Sequence, residues 1–160
     1  MPVIINGFAY PALTDTQTSP SVNVGTLVNL DDGGQAVYVQ AASEISQFNA
    51  VCIPATNVAQ NATTARVAST KRVGFAQVSI ASGYYGWVQL GGKVRVNVSA
   101  SCLPGVALYT TTTEGRLDDA TVSGALVAGV VTEVTASATS AMTAVAAFTM
   151  VIPVPSNATP

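Results

Sequence analysis

The sequence predicts an all-β protein, a small antiparallel β-barrel or sandwich over residues 31–160 with an extended N-terminal arm over residues 1–30. Three observations predict it. Apolar and polar residues alternate in several short runs, which is the period-2 signature of a half-buried strand. The runs recur at roughly ten-residue spacing between clusters of Gly, Asp, Asn and Ser, as in sandwiches and barrels. No window carries a capped apolar stripe at the helical period.

Taken in order, residues 1–30 carry Pro2, Pro11 and Pro20, separated by "VIINGFAY" and the polar run "TDTQTS". Proline removes a backbone donor and breaks helices, so this stretch reads as extended. Ile4, Ile5, Phe8 and Tyr10 are too apolar for a free tail. They pack either on their own domain or on a partner.

"QAVYVQA" (35–41) places Ala36, Tyr38 and Gln40 on one face and Val37, Val39 and Ala41 on the other. "NAVCIP" (49–54) is a short apolar run ended by Pro54. "ARVAST" (65–70) and "RVGFAQVSI" (72–80) read as strands, rich in residues that suit a pleated surface. Gly74 inside the second run marks a bulge or a close backbone approach.

"YYGWVQL" and "KVRVNVSA" follow, the latter with Val94, Val96 and Val98 on one face and Lys93, Arg95 and Asn97 on the other. Gly91-Gly92 between them fits a two-residue hairpin. One long strand kinked at the glycines is the competing reading. "GVALYT" (105–110), "GALVAGVVTEV" (124–134) and "AVAAFTMVIP" (144–153) complete the strands. The Ala-rich 136–147 has room for one helical turn at most.

Composition narrows the function. Only 9% of the 160 residues are charged, against about a quarter in ordinary domains. Ser and Thr take the place of the missing ions. Such a surface suits a protein that is covered, assembled or extracellular. The net charge of −2 and the lack of any basic stretch beyond Lys71-Arg72 argue against a nucleic-acid partner. The start "MPVIINGFAYPALTD" has neither a basic n-region nor a long apolar core, so no signal peptide is expected there. The uncharged run 134–160 is diluted by Ser, Thr and Pro, so no membrane span is expected either.

There is no histidine, which removes the commonest general base and zinc ligand. Cys52 and Cys102 have no charged residue within five positions, so nothing local activates a thiolate. They read as free core thiols rather than a disulfide. Asp31-Asp32 and Asp118-Asp119 sit in turn contexts, where aspartate bonds its own backbone. Calcium would need more oxygens at wider spacing. The reading is of a non-enzyme without cofactor or metal.

One cluster stands out. "GYYGWVQLGG" holds Tyr84, Tyr85 and the single tryptophan, Trp87. Such rings serve either packing or recognition.

The stretch "KRVGFAQVSIASGYYGWVQLGGKVRVNVSASCLPGVALYTTTTEGRLDDATVSGALVAGVV" (71–131) resembles the capsid decoration, or cement, proteins of tailed bacteriophages. "VGFAQ", "GYYGWVQLGG", "VNVSASCLPGVALYT" and "GRLDD…ALVAGVV" are similar to successive strand-and-turn elements of that group, and "SEISQFNAVCI" (43–53) to its early strand. The resemblance covers roughly residues 35–153. It implies a small barrel that assembles as a homotrimer on the outer capsid surface of a virion, after synthesis in the host cytoplasm. It implies the major capsid protein as partner, with no nucleic acid and no membrane. Trp87, Tyr84 and Tyr85 then belong to core or subunit interface, and Ile4, Ile5, Phe8 and Tyr10 to capsid or inter-subunit contact. The alternative is a receptor- or glycan-binding module of a phage tail or fibre, with Tyr84, Tyr85 and Trp87 as exposed stacking platforms.

Overall fold

The computed structural model describes residues 3–5, 8–31, 33–70, 72–121, 126–133, 135–136 and 140–152; of 3–5, 8–10 and 140–152 it describes the backbone alone. The protein is all-β. It holds a curled sheet and a closed five-stranded barrel.

Strands β1 (Val3–Ile5) and β2 (Phe8–Tyr10) form an antiparallel pair, with Ile4 opposite Ala9. The sequence between them is Asn6-Gly7, the dipeptide that favours two-residue hairpins. The curled sheet follows. It is built from β3 (Thr16–Gln17), β4 (Leu27–Asn29), β5 (Gln35–Ala41), β6 (Ala50–Cys52), β7 (Val58–Asn61), β8 (Val73–Ala76) and β9 (Tyr85–Gln89). Their order is β3-β9-β8-β6-β7-β5-β4, and an added β5–β9 pairing bends the sheet round on itself.

Period 2 sorts the side chains of this sheet. Val37, Val39, Ala41, Val51, Ala59, Ala76 and Val88 fill the inside of the curl with Ile45, Ile53 and Ile80. The residues between them point outward, yet they are buried too. Tyr38 and Trp87 lie under the N-terminal segment. Ala50, Cys52, Val73 and Phe75 lie under the second barrel. Burial on both faces explains why "AVC" and "VGFA" read as continuous apolar runs rather than alternating ones.

The second barrel closes in the order β10-β12-β11-β13-β14, from β10 (Gly92–Val98), β11 (Leu108–Thr110), β12 (Leu117–Asp118), β13 (Leu126–Thr132) and β14 (Ser140–Ile152). Val94, Val96 and Val98 face its core while Lys93 and Arg95 are exposed, as their alternation predicts. Most pairings are antiparallel. Two short ones, β5–β7 and β10–β12, are parallel.

Several expectations are corrected. Gly91-Gly92 does not close a hairpin. β9 pairs with β3, β5 and β8, whereas β10 pairs with β12 and β14, so the chain crosses from sheet to barrel there. Gly92 has φ +88, and the Gln89 amide donates to the Gly91 and Lys93 carbonyls to hold the crossing. The expected strand at 65–70 gives way to a single helical turn, α1 (Thr64–Val67). Thr63 caps it by accepting from the Arg66 amide at 3.3 Å, and Val67 anchors it in the barrel core. No helical turn forms in 140–147, which belongs to β14.

Gly74 marks a close approach rather than a bulge. The register of β8 with β6 is regular, and a Cβ at Gly74 would stand 2.5 Å from Val88 Cγ1. Within the residues expected as an arm, β3 pairs with β9 and β4 with β5. Among the described residues, no helix is long and apolar enough to cross a membrane.

Candidate functional site

The site is the aromatic cluster and the chain segment it holds. β9 carries Trp87 on its outer face, directly opposite Tyr38 of β5. Tyr38 meets the indole edge-on, with centroids 5.1 Å apart and planes at 63°. Tyr85 stacks on Tyr38 from the other side at 6.2 Å. Such pairs add about 0.5–1.5 kcal/mol each beyond the area they bury.

The polar atoms of the cluster reach the N-terminal segment. Trp87 Nε1–H donates to the Pro11 carbonyl at 3.0 Å. The Tyr38 hydroxyl donates to Gln17 Oε1 at 2.6 Å, and Ser21 Oγ donates to the same oxygen at 2.7 Å. Asp15 tightens the turn between them, its carboxylate accepting from the Ala12 amide at 3.0 Å. Ala12 is buried, and Leu13, Val22 and Leu30 pack against Trp87 and Tyr38. Residues 11–30, apart from the sheet strands β3 and β4 that they contain, thus cover an apolar sheet face.

The three ring residues singled out in sequence part company here. Trp87 is 1% exposed, Tyr85 half-buried and Tyr84 38% exposed. Stacking platforms for a glycan need rings exposed together, and of the three Trp87 is buried, Tyr85 is partly covered and Tyr84 alone is exposed. Ile4, Ile5, Phe8 and Tyr10 lie just beyond the anchor at Pro11, in β1 and β2. That hairpin pairs with no other strand among the described residues. The side chains of these four lie outside the described residues.

The fold brings groups together that sequence spacing keeps apart. Cys102 Sγ lies within 4.8 Å of carboxylate oxygens of Asp118 and Asp119. The thiol donates to Asp118 Oδ1 at 3.7 Å, which also accepts from the Ala120 amide at 3.4 Å. Asp119 Oδ2 accepts from the Leu103 amide at 3.0 Å. These acids serve turn backbone, as aspartates in turns do. Burial pushes the Cys102 thiol up to about 11, and the two carboxylates add to the rise. A proton-bearing thiol beside two committed carboxylates is a poor set for calcium, which takes oxygen ligands in larger number. Burial raises Cys52 as well, more than the nearby Arg66 charge lowers it. Both cysteines are free and buried. Asp32 of the other acid pair lies outside the described residues.

Sequence reasoning missed a polar seam between curled sheet and barrel. Asn97 Nδ2 of β10 donates to Asn49 Oδ1 at 2.7 Å, and Asn49 Nδ2 donates to Asn61 Oδ1 at 3.0 Å. Asn61 Nδ2 reaches the Glu44 carbonyl at 2.9 Å, and Glu114 pairs with Arg66 at 2.7 Å. Gly115, at φ +69, leaves room for the Asn49 amide. Isolated asparagines in a Thr-rich chain give no sequence signal for this.

No protein-family model matches the chain, and no curated protein matches it.

Two outcomes follow from this geometry. Trp87→Ala lowers stability by about 3–5 kcal/mol, as for a buried large aromatic, in urea unfolding followed by circular dichroism; a loss under about 1 kcal/mol contradicts the anchor. The second concerns pH. The unfolded Cys102 thiol ionises near 9.0 and the folded one near 11, so its contribution is intact below 9.0 and fades as pH rises toward 11. The stability gap between wild type and Cys102→Ala therefore narrows across that window. A gap that stays constant contradicts the raised value.

Proposed function

We propose that this protein is a non-enzymatic structural protein of a phage virion, a capsid decoration protein that binds the outer capsid surface across capsomers. Its partners in this reading are the major capsid protein and its own copies, as a homotrimer. It takes no cofactor and contacts neither nucleic acid nor membrane.

One observation carries the reading beyond the sequence resemblance: the N-terminal hairpin and its anchor. β1 and β2 pair only with each other among the described residues. A lone two-stranded hairpin is marginal in water. This one is uncharged and rich in Val, Ile, Phe and Tyr, so it gains stability by lying on another surface. The Pro11–Trp87 hydrogen bond fixes where it leaves the body. An apolar strand pair of this kind adds backbone hydrogen bonds and side-chain anchors to a neighbouring sheet edge. The low charge of the whole chain fits a molecule that spends its life packed against others.

The mechanism is mechanical. A shell under internal pressure fails where capsomers separate. A protein bound across that junction adds its binding free energy to the assembled state alone. Repeated over many identical sites, contacts that are weak singly sum through multivalency.

Deleting residues 1–10 tests this. The cut falls before Pro11 because that carbonyl and Ala12 belong to the anchor. The truncated protein keeps its circular dichroism and melting transition, and its binding to undecorated phage heads in a sedimentation assay falls roughly tenfold or more, at about 1.4 kcal/mol per decade. Unchanged binding removes the hairpin from the contact.

A further inference from the structure

A cleft of about 430 Å³ opens where three turns meet: the one before β4, the one between β6 and β7, and the link from α1 to β8. This volume lies in the range of sites that hold small organic ligands.

The walls are fixed. Gly25, at φ +89, donates its amide to the Tyr38 carbonyl at 2.7 Å. A Cβ there would stand 2.6 Å from Asn57 Nδ2, so the glycine makes room for that amide. Asn57 is itself left-handed, at φ +57, with its N–H bonded to the Pro54 carbonyl at 2.9 Å and its carbonyl accepting from Gln40 at 3.1 Å. The Arg72 carbonyl accepts from the Ile53 amide at 2.9 Å, which locks the third wall to the second.

The chemistry of the lining is one-sided. Arg66 is committed to Glu114, Lys93 to Glu133, and Arg95 lies over the Phe48 ring. Arg72 lines the cleft and has neither ion pair nor side-chain hydrogen bond among the described residues. Burial lowers its pKa below the ordinary arginine value. Thr70 Oγ1, also on the lining, is buried and finds no hydrogen-bond partner among the described residues. A buried hydroxyl and a half-buried guanidinium left so are each costly. None of the lining residues is acidic, and Ile53 and Pro54 supply apolar wall beside the charge.

We propose that this cleft binds a carboxylate carried on a small apolar body, with Arg72 as the charged fork and Thr70 and Asn57 as neutral donors. A guanidinium presents paired N–H groups that match a carboxylate's two oxygens. Arg72 is the one cation among the described lining residues, which suits a single negative charge. The carboxylate comes either from a free organic acid or from an Asp or Glu side chain of a protein segment, and the same chemistry recognises both. None of the described lining residues belongs to the N-terminal hairpin, and the proposal does not rest on the decoration reading.

The test is a titration of the full-length ¹⁵N-labelled protein with benzoate and its neutral counterpart benzamide. A second pair of probes is acetyl-Ala-Glu-Ala-amide and the same peptide with Gln in place of Glu. The readout is the shift of the Asn57, Ser69 and Thr70 amides and of the Arg72 Nε–H. At least one carboxylate gives saturable shifts at millimolar concentration, while both amides leave the spectrum unchanged. Benzoate alone acting identifies a free acid, and the Glu peptide alone acting identifies a protein side chain. Arg72→Gln weakens binding by about tenfold or more, as loss of a charge-assisted pair does, with resonances outside the cleft in place. Should that variant unfold, Arg72→Lys, which keeps the charge but not the fork, decides: it binds more weakly than wild type. The proposal is overturned by equal responses to acid and amide, by no saturable shift with either carboxylate, or by an Arg72 variant that binds as wild type does.

Discussion

The outer face of the curled sheet sets the terms for the rest of the molecule. A sheet that fills its own interior can leave its outside polar and facing water. Here β5, β6, β8 and β9 carry Tyr38, Trp87, Phe75, Val73 and Cys52 outward. That apolar surface has to be covered, and burial is the main favourable term available to do it. The chain covers it from both ends. Residues 11–30 fold back over Tyr38 and Trp87 from the N-terminal side. The second barrel closes over Phe75, Val73 and Cys52 from the C-terminal side. Neither cover stands alone: the first is a strap with little core of its own, and the second shares one continuous core with the sheet.

Polar groups decide how the covers sit. The indole N–H and the Tyr38 hydroxyl are buried donors that need acceptors. They find them on Pro11 and Gln17, which fixes the strap in one register. At the other cover the Asn97–Asn49–Asn61 chain does the same between barrel and sheet. Apolar contact supplies most of the driving force, and these few directional bonds select one arrangement among many that would bury similar area. The exit direction of the N-terminal hairpin, and so the proposed contact with a capsid, inherits its geometry from the Trp87 anchor.

Local features of the sequence told the fold class and much of the strand placement. "QAVYVQA" and "KVRVNV" alternate because each strand has two faces with different fates, and both patterns are visible without partners. Pairing is not visible in this way. Gly91-Gly92 has the composition of a hairpin, and only the long-range partners of β9 and β10 reveal a crossing between layers. "TARV" has the β-branched content of a strand, yet the hydroxyl of Thr63 caps a helical turn there. The Cys102–Asp118–Asp119 group and the asparagine seam join residues far apart in sequence, so spacing rules could not find them. Arg72 was visible as part of a lone basic pair, but that it meets no counter-charge among the described residues is a property of the packed turns around it. The prolines of residues 1–30 mark an extended arm in the sequence; that residues 11–30 strap the sheet depends on an apolar outer face that no single strand discloses.

The measurement that bears most directly on the central claim is the mass of the purified protein by light scattering, alone and mixed with undecorated phage heads. The account predicts a stable trimer that sediments with the heads. A monomer that stays in the supernatant in their presence contradicts it, and Tyr84, the one exposed ring of the cluster, then becomes the first place to look for another ligand.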